Sequence, residues 1–297
     1  MVQRQDVEFT AEGGVTLRGW LFIPEASGPR PAITMAHGYA GVRDHGLERF
    51  ARVFAEDGFV VLLHDHRGFG VSDGEPRRDV DPWRQIADWR RAISYLENRP
   101  EVDPKRIGLW GSSYAGGHAI VLGATDRRLR AVVAQVPTTS GYEQGLRRIP
   151  PDQVAALEES FADDERRQFR GEPPAHQAVV SADPSVPASY RSQDAIDFYN
   201  QPAPDGVWQN DVTVRSTRAA RMYEPGTWIS RVSPTPLLLV VALSDAIIVT
   251  DLALGAYERA LQPKKLVTVA GGHFDPYVSQ FNESSAAARC WFGEHLK

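Results

Sequence analysis

The spacing of apolar positions changes after roughly the first 25 residues of the chain. Up to that point apolar and polar side chains alternate on both sides of the pair Gly13-Gly14. Alternation with a period of two is typical of a strand that buries one face, and two such runs joined by glycines indicate an antiparallel hairpin. We therefore predict an N-terminal hairpin with these apolar positions: Val7, Phe9, Val15, Leu17, Trp20 and Phe22.

Beyond this hairpin, short apolar runs alternate with helical patterns as far as Pro137. The runs contain few polar residues, as in "FVVLLHD", and they are as short as single strands. Continuous apolar strands separated by helices are typical of a parallel sheet that is covered on both faces. One helical pattern repeats an apolar residue every three or four positions and so predicts a helix with one buried face; its apolar residues are Trp83, Ile86, Trp89, Ile93 and Leu96.

The alternation stops after Pro137 and resumes near residue 233 with "PTPLLLVVALSD". The intervening segment is too long for a loop in a compact domain. It also contains a helical pattern, "PDQVAALEESFADD". We predict that residues 1–137 and 233–297 form one α/β core, and that residues 138–232 form a cap inserted between two core strands.

Composition excludes several function classes. The 297 residues carry a net charge of −5 with both signs mixed, so there is no cationic face for nucleic acid. No apolar stretch approaches the ~18 residues of a membrane span, and the polar N-terminus predicts no leader peptide. A single cysteine, Cys290, lies in a helical pattern, where we expect packing rather than reactivity. We expect a cytoplasmic protein without nucleic-acid or membrane partners; the oligomeric state stays open, with a homodimer as one option.

The stretch "GLWGSSYAGGH" at residues 108–118 joins an apolar run directly to a helical pattern. A phosphate-binding loop would need a lysine and a hydroxyl after Gly116, where Gly117 and His118 stand instead. A serine nucleophile at a sharp strand-to-helix turn needs small residues two positions away on each side. Gly111 and Ala115 satisfy this requirement for Ser113. A plain glycine-rich turn without chemistry remains the alternative for the motif by itself.

The neighbouring serine, Ser112, is a poorer candidate because Trp110 and Tyr114 would flank it. Those side chains are too large for a site where strand and helix backbones crowd together.

Partners for Ser113 follow in the order serine, acid, histidine. Asp245 ends the strand pattern "LLLVVALSD", and His273 follows the next one in a Gly-Gly loop. A serine nucleophile needs a histidine to take its proton and an acid to orient that histidine. We predict the triad Ser113, Asp245 and His273. Asp251 and Asp275 are rival acids, but the first is placed to begin a helix and the second does not end a strand.

The loop His37-Gly38-Tyr39 follows the first parallel strand. Acyl transfer needs main-chain N–H groups aimed at the developing oxyanion. We predict that Tyr39 and Tyr114 provide these groups, with the Tyr39 hydroxyl as an alternative donor. His37 is expected to support the loop.

The stretch "HDHRGFGVSDG" raises two cofactor hypotheses that the sequence does not support. The dinucleotide fingerprint needs a glycine where Asp73 stands, and no helix pattern begins there. His64 and His66 lack the further ligands of a metal site. We therefore predict neither a cofactor nor a metal.

Five features of the chain together resemble the α/β-hydrolase superfamily. They are the His37-Gly38-Tyr39 loop, "HRGFGVSDG", the turn at Ser113, Asp245 and Gly272-His273. The resemblance covers roughly residues 7–137 and 233–297. It implies a mostly parallel, doubly wound sheet of about eight strands with an inserted helical cap. Within the superfamily the chain is similar to dienelactone-hydrolase-type and X-prolyl-peptidase-type serine hydrolases, whose relatives include polyketide acyltransferases. Dienelactone hydrolases have cysteine where Ser113 stands, so lactone specificity is not implied.

These observations predict a serine hydrolase that cleaves a small ester, thioester or lactone through an acyl-enzyme. An acyltransferase using the same intermediate and a non-catalytic ligand-binding protein are the alternatives. Aromatic residues of the predicted cap are candidates for the pocket lining, or for anchoring the cap to the core: Phe198, Tyr199, Trp208, Tyr223 and Trp228.

Overall fold

The computed structural model describes residues 1–25 and 28–297. The strands are β1 (Val2–Thr10), β2 (Thr16–Pro24), β3 (Arg30–Ala36), β4 (Val60–His64), β5 (Val102–Ser112), β6 (Leu129–Gln135), β7 (His176–Val180), β8 (Ala188–Tyr190), β9 (Val212–Thr213), β10 (Leu237–Ala242) and β11 (Lys264–Val269). The α-helices are α1 (Glu48–Glu56), α2 (Pro82–Glu97), α3 (Tyr114–Thr125), α4 (Gly141–Arg148), α5 (Val154–Phe169), α6 (Gln193–Tyr199), α7 (Val214–Arg221), α8 (Thr250–Arg259) and α9 (Phe281–Leu296).

The large sheet has eight strands in the order β1-β2-β4-β3-β5-β6-β10-β11. β1 and β2 pair antiparallel from Val2 opposite Pro24 to Thr10 opposite Thr16, which confirms the predicted hairpin. β2 is also antiparallel to β4, and from β4 to β11 all neighbours are parallel. The predicted mostly parallel sheet of about eight strands is thus confirmed.

Helices cover both faces of this sheet. α1 and α9 pack together on one face, and α2 and α3 pack together on the other. Every residue of β4 and β10 is buried, as expected for parallel strands between two helical layers. The helix α9 lies close to the sheet. A Cβ atom at Gly108 of β5 would lie 2.8 Å from side-chain atoms of Phe292 and Leu296 in α9.

The chain between β6 and β10 forms a separate layer. It contains α4 to α7 and a three-stranded sheet in the order β8-β7-β9. The strands of this sheet are two to five residues long, too short for a period-two pattern to be read from the sequence. Arg215 of α7 holds the layer to the core through two hydrogen bonds of 2.7 Å to the carboxylate of Asp79.

We searched the described helices for a membrane-spanning segment. None combines the length and the apolar content that a bilayer crossing requires.

Candidate active site

Ser113 is the single residue between the end of β5 and the start of α3. Its backbone has φ 59° and ψ −122°, a conformation that is rare for a residue with a side chain. Such strain persists only where the surrounding structure enforces it, and it concentrates at functional sites. The main-chain N–H of Ser113 donates to the carbonyl of Gln135 at 2.9 Å, which ties the turn to β6.

Small residues around this turn are required by close backbone contacts. A Cβ atom at Gly111 would lie 2.1 Å from the carbonyl oxygen of Ala115, so no side chain fits there. At Gly38, on the loop after β3, a Cβ atom would lie 3.0 Å from Cβ of Ser113. The loop after β3 is therefore packed directly against the serine.

The predicted triad residues lie within hydrogen-bonding distance of one another. Oγ of Ser113 is 2.8 Å from Nε2 of His273, and Nδ1 of His273 is 2.7 Å from Oδ2 of Asp245. Asp245 and His273 are buried, whereas Ser113 is partly exposed. The turn after β5 and the loops after β10 and β11 meet because the carboxyl ends of these parallel strands lie at one edge of the sheet.

The environment of Asp245 favours its charged form. Burial alone would raise the pKa of this carboxyl, but His273 and the N–H groups of Ile248 and Ile247 outweigh it and lower the pKa. Those two N–H groups donate to Oδ1 at 3.0 and 2.8 Å, which leaves Oδ2 for His273. The acid is thus oriented as well as ionised.

The rival acids have other partners. Asp251 lies in the first turn of α8 at the surface and accepts two hydrogen bonds from Arg147, at 2.6 and 2.7 Å. Asp275 accepts a hydrogen bond from the N–H of Gly272 at 2.7 Å and another from Ser279. Asp275 therefore shapes the loop that carries His273.

His37 supports the loop after β3 through both ring nitrogens. The N–H of His66 donates to Nε2 at 3.0 Å, so the ring proton lies on Nδ1, which is 2.9 Å from the carbonyl oxygen of Gly38. That carbonyl belongs to the same peptide unit as the N–H of Tyr39. Burial lowers the pKa of His37 to about 4, so the ring stays neutral at pH 7.

The two predicted oxyanion donors border Ser113. Tyr114 is the first residue of α3, and the first N–H groups of a helix have no partner within it. The Tyr39 and Tyr114 rings meet edge to face with centroids 5.6 Å apart. The Tyr39 hydroxyl lies 3.3 Å from Oγ1 of Thr217, so it is directed toward α7.

A cavity of about 310 Å³, counting its open mouth, contains Ser113 and His273. Phe198 and Tyr199 line it, as predicted for the cap. Sequence reasoning missed the other large side chains of the wall, which come from the core; they are His45, Leu47, Phe274 and Tyr277. Only Phe274 had a sequence signal, because it directly follows the predicted histidine.

The remaining predicted lining residues lie elsewhere among the described residues. Trp208 stacks behind Tyr199 at 6.0 Å and borders a second cavity. The Tyr223 hydroxyl donates to Nδ1 of His118, beneath α3. Trp228 lies under the guanidinium of Arg231 at 4.9 Å. Trp208 and Tyr223 bond core residues, Ala40 and His118, whereas Trp228 contacts a residue of its own segment.

The sequence also singled out His64, His66 and Cys290. Within the described residues no group of three His, Cys, Asp or Glu side chains is arranged to hold a metal ion. His64 and His66 are fully buried beside Trp89. Cys290 is exposed on α9, which corrects the expectation that it packs in the core. The apolar stripe of α9 runs through its neighbours, Trp291 and Phe292.

Comparison with known proteins places this geometry in a family. The sequence matches the profile described as X-Pro dipeptidyl-peptidase (S15 family) over residues 13–275. The chain belongs to the S15 peptidase family. Among curated relatives of this S15-family protein, polyketide transferase grgF from a Penicillium species is 32% identical over 277 residues, covering 92% of this chain and 90% of that protein. The quorum-quenching protein AidA of Acinetobacter baumannii is 30% identical over 276 residues, covering 93% and 89%.

Solved structures identify the fold of this S15-family chain. The alpha/beta hydrolase GrgF from a Penicillium species superposes with a TM-score of 0.85 at 30% identity, covering 99% of both chains. DcsB in complex with its substrate analogue superposes with a TM-score of 0.87 at 25% identity, again covering 99% of both. The fold is therefore that of the α/β hydrolases.

Proposed function

We propose that this protein transfers the acyl group of a carboxylic ester or thioester through a covalent intermediate on Ser113. The observation that carries the proposal is the continuous chain of hydrogen bonds from Ser113 through His273 to Asp245, at 2.8 and 2.7 Å. A nucleophile, a base and an orienting acid in this arrangement are the requirements of acyl-enzyme chemistry.

In the first step, Oγ of Ser113 attacks the acyl carbonyl as its proton passes to Nε2 of His273. Asp245 holds the ring through Nδ1 and stabilises the imidazolium. The N–H groups of Tyr39 and Tyr114 receive the oxyanion of the tetrahedral intermediate. His273 then protonates the leaving alcohol or thiol, and the acyl group stays on Ser113.

In the second step, water or another nucleophile loses a proton to His273 and attacks the acyl-enzyme. Collapse of the second tetrahedral intermediate releases the product, and the proton returns from His273 to Ser113.

The chemistry of the cavity wall favours esters and thioesters over peptides. The family description names X-Pro dipeptidyl-peptidases. A dipeptidyl-peptidase acts at the N-terminus of a peptide, so its substrate carries a free α-amino group. A buried ammonium needs an anionic partner, and no Asp, Glu, Lys or Arg lines this cavity among the described residues. Its wall of aromatic, aliphatic and histidine side chains suits an uncharged acyl group.

Acyl transfer to a nucleophile other than water is the second candidate. Relatives named polyketide transferase include grgF and claH from Penicillium species, at 32% and 29% identity. A relative named thiohydrolase, aneE from Aspergillus aculeatus, is 30% identical over 273 residues. Transfer and hydrolysis can both proceed from one acyl-enzyme, in which case the acyl acceptor is what distinguishes them.

The test combines fluorophosphonate labelling with turnover of p-nitrophenyl esters and N-acetylcysteamine thioesters. Ser113→Ala should abolish labelling and lower kcat by about 10⁴-fold or more. Ser112→Ala is the matched control and should keep the label. Labelling that persists in Ser113→Ala would refute the proposal. Added alcohols and amines, followed by product analysis, separate hydrolysis from transfer.

A further inference from the structure

His45 lies on the loop between β3 and α1, in the wall of the cavity that contains Ser113. Its side chain is buried, with 1% of the residue exposed. The reaction proposed above gives this imidazole no role. Its hydrogen-bonding state therefore bears on what the cavity binds.

The structure determines which nitrogen of His45 carries the proton. The main-chain N–H of Val42 donates to Nδ1 of His45 at 3.4 Å, so Nδ1 is the unprotonated nitrogen. Burial, with a smaller contribution from His37, lowers the pKa of His45 to about 3. The ring is therefore neutral at pH 7 and presents Nε2–H as a donor.

This donor has no oxygen or nitrogen acceptor in the part of the chain that the structure describes. Three aromatic rings surround the imidazole edge to face: Trp208 at 5.4 Å, Tyr199 at 5.8 Å and Phe198 at 5.9 Å. An aromatic face is only a weak acceptor. A buried side-chain donor without a partner is uncommon in native proteins and calls for a functional explanation.

The other polar side chains of the cavity wall already have partners. Tyr199 donates its hydroxyl to the carbonyl of Tyr39 at 2.6 Å. The hydroxyl of Tyr277 bonds to Ser112 at 2.5 Å, and both nitrogens of His37 are used by the loop after β3. Outside the triad, Nε2 of His45 is the polar side-chain atom of the described wall that has no hydrogen-bond partner.

We propose that His45 determines substrate specificity by donating Nε2–H to an oxygen atom on the acyl group. The inference rests on the proposed function, and it specifies the substrate class: acyl groups with a ketone or hydroxyl oxygen along the chain. A plain alkyl chain of the same length offers the donor no acceptor. A site built to bond a polar group discriminates against the analogue that lacks it.

The experiment compares p-nitrophenyl hexanoate with its 4-oxo and 5-oxo analogues, which place a ketone at two depths. The wild-type protein should prefer at least one oxo ester by about 10- to 100-fold in kcat/KM. His45→Phe keeps a ring but removes the donor and should abolish the preference. His45→Gln restores an N–H donor and should recover part of it.

A second measurement needs no substitution at His45. Histidine ¹⁵N spectra of the Ser113→Ala variant should show His45 with the proton on Nε2. Methyl 4-oxohexanoate or methyl 5-oxohexanoate should shift that Nε2–H resonance downfield, and methyl hexanoate should not.

Each outcome decides the inference. Equal turnover of all three esters by the wild-type protein would overturn it, because the donor would then be satisfied by the aromatic rings or by water. An equal loss on every ester in His45→Phe, with no ligand-specific shift in the spectra, would reduce His45 to a structural residue. If Ser113 is not labelled and no ester is turned over, the proposed function itself fails. Labelling with no oxo preference refutes the specificity role alone.

Discussion

The α/β core and the inserted layer at residues 138–232 differ in how they use their side chains. In the core, α3 buries eleven of its twelve residues. In the inserted layer, α5 buries two of its sixteen. A helix packed on all sides fixes the position of its first residue. A helix packed along a narrow strip fixes the residues next to it less tightly. The core is thus the part of the molecule suited to hold catalytic atoms within fractions of an ångström.

The division of labour at the site follows this difference. Ser113, Asp245 and His273 all belong to the core. The inserted layer supplies Tyr199, whose ring walls the cavity and whose hydroxyl bonds the carbonyl of Tyr39 at 2.6 Å. It also supplies Trp208, whose Nε1–H donates to the carbonyl of Ala40 at 3.0 Å. In the proposed mechanism the core provides the reacting groups. The inserted layer contacts the loop after β3, which carries Tyr39, one of the two proposed oxyanion donors.

The largest expected effect tests the core side of this comparison. Asp245→Asn should lower kcat about 10³- to 10⁴-fold, because an amide at this position favours the wrong histidine tautomer. Asp251→Asn is the same substitution six positions further along the chain, at an exposed carboxylate paired with Arg147. It should leave kcat within about twofold. Steady-state kinetics on one ester checks both, and a reversal of the two effects would assign the acid to Asp251.

The next effect concerns stability in acid, which should fall because the core contains buried histidines. Burial lowers the pKa of His37 to about 4 and that of His45, His64 and His118 to about 3, and it holds the pKa of His66 well below its usual value. The unfolded chain takes up these protons near pH 6.5, so the free energy of unfolding falls as the pH drops below that value. Each histidine contributes about 1.4 kcal/mol per pH unit until its folded pKa is reached.

Asp65 opposes this trend. Burial raises its pKa to about 6, so between roughly pH 6 and pH 4 the folded state holds a proton that the unfolded state has lost. Burial also raises the pKa of Asp44 and of Asp88, so three carboxyls oppose five histidines, and the balance is a net loss of stability on acidification. Urea midpoints at pH 8, 7, 6 and 5 should decrease from pH 7 downward, and a constant midpoint would contradict the prediction. Hydrogen exchange at pH 5 should show protection lost in the core strands as well as in α5.

The smallest effect tests the inserted layer. Tyr199→Phe removes the hydrogen bond to the carbonyl of Tyr39 and keeps the ring. One such bond contributes about 1 kcal/mol, so kcat should fall about fivefold with a smaller change in KM. Tyr142→Phe, at a tyrosine of α4 that is 57% exposed, is the matched control. A change confined to KM would mean that Tyr199 shapes the cavity without positioning the oxyanion loop.

Sequence reasoning located residues whose position follows from the end of a strand. Asp245 and His273 were predicted because they follow two apolar runs, and the parallel sheet brings those ends to one edge. It failed where a side chain's direction depends on packing. Tyr223 and Trp228 are aromatic residues of the inserted layer, like Phe198, but their rings face α3 and Arg231 rather than the cavity.

The sequence by itself determined the order of strands and helices in the core, the turn at Ser113 and the positions of Asp245 and His273 at strand ends, because these depend on local periodicity and on the geometry of parallel strands. Only the tertiary structure decided which rings line the cavity and that His45 carries a free donor there. Those properties depend on contacts between loops distant in the chain, such as His45 with Phe198 and Trp208, whose side-chain directions no local pattern encodes.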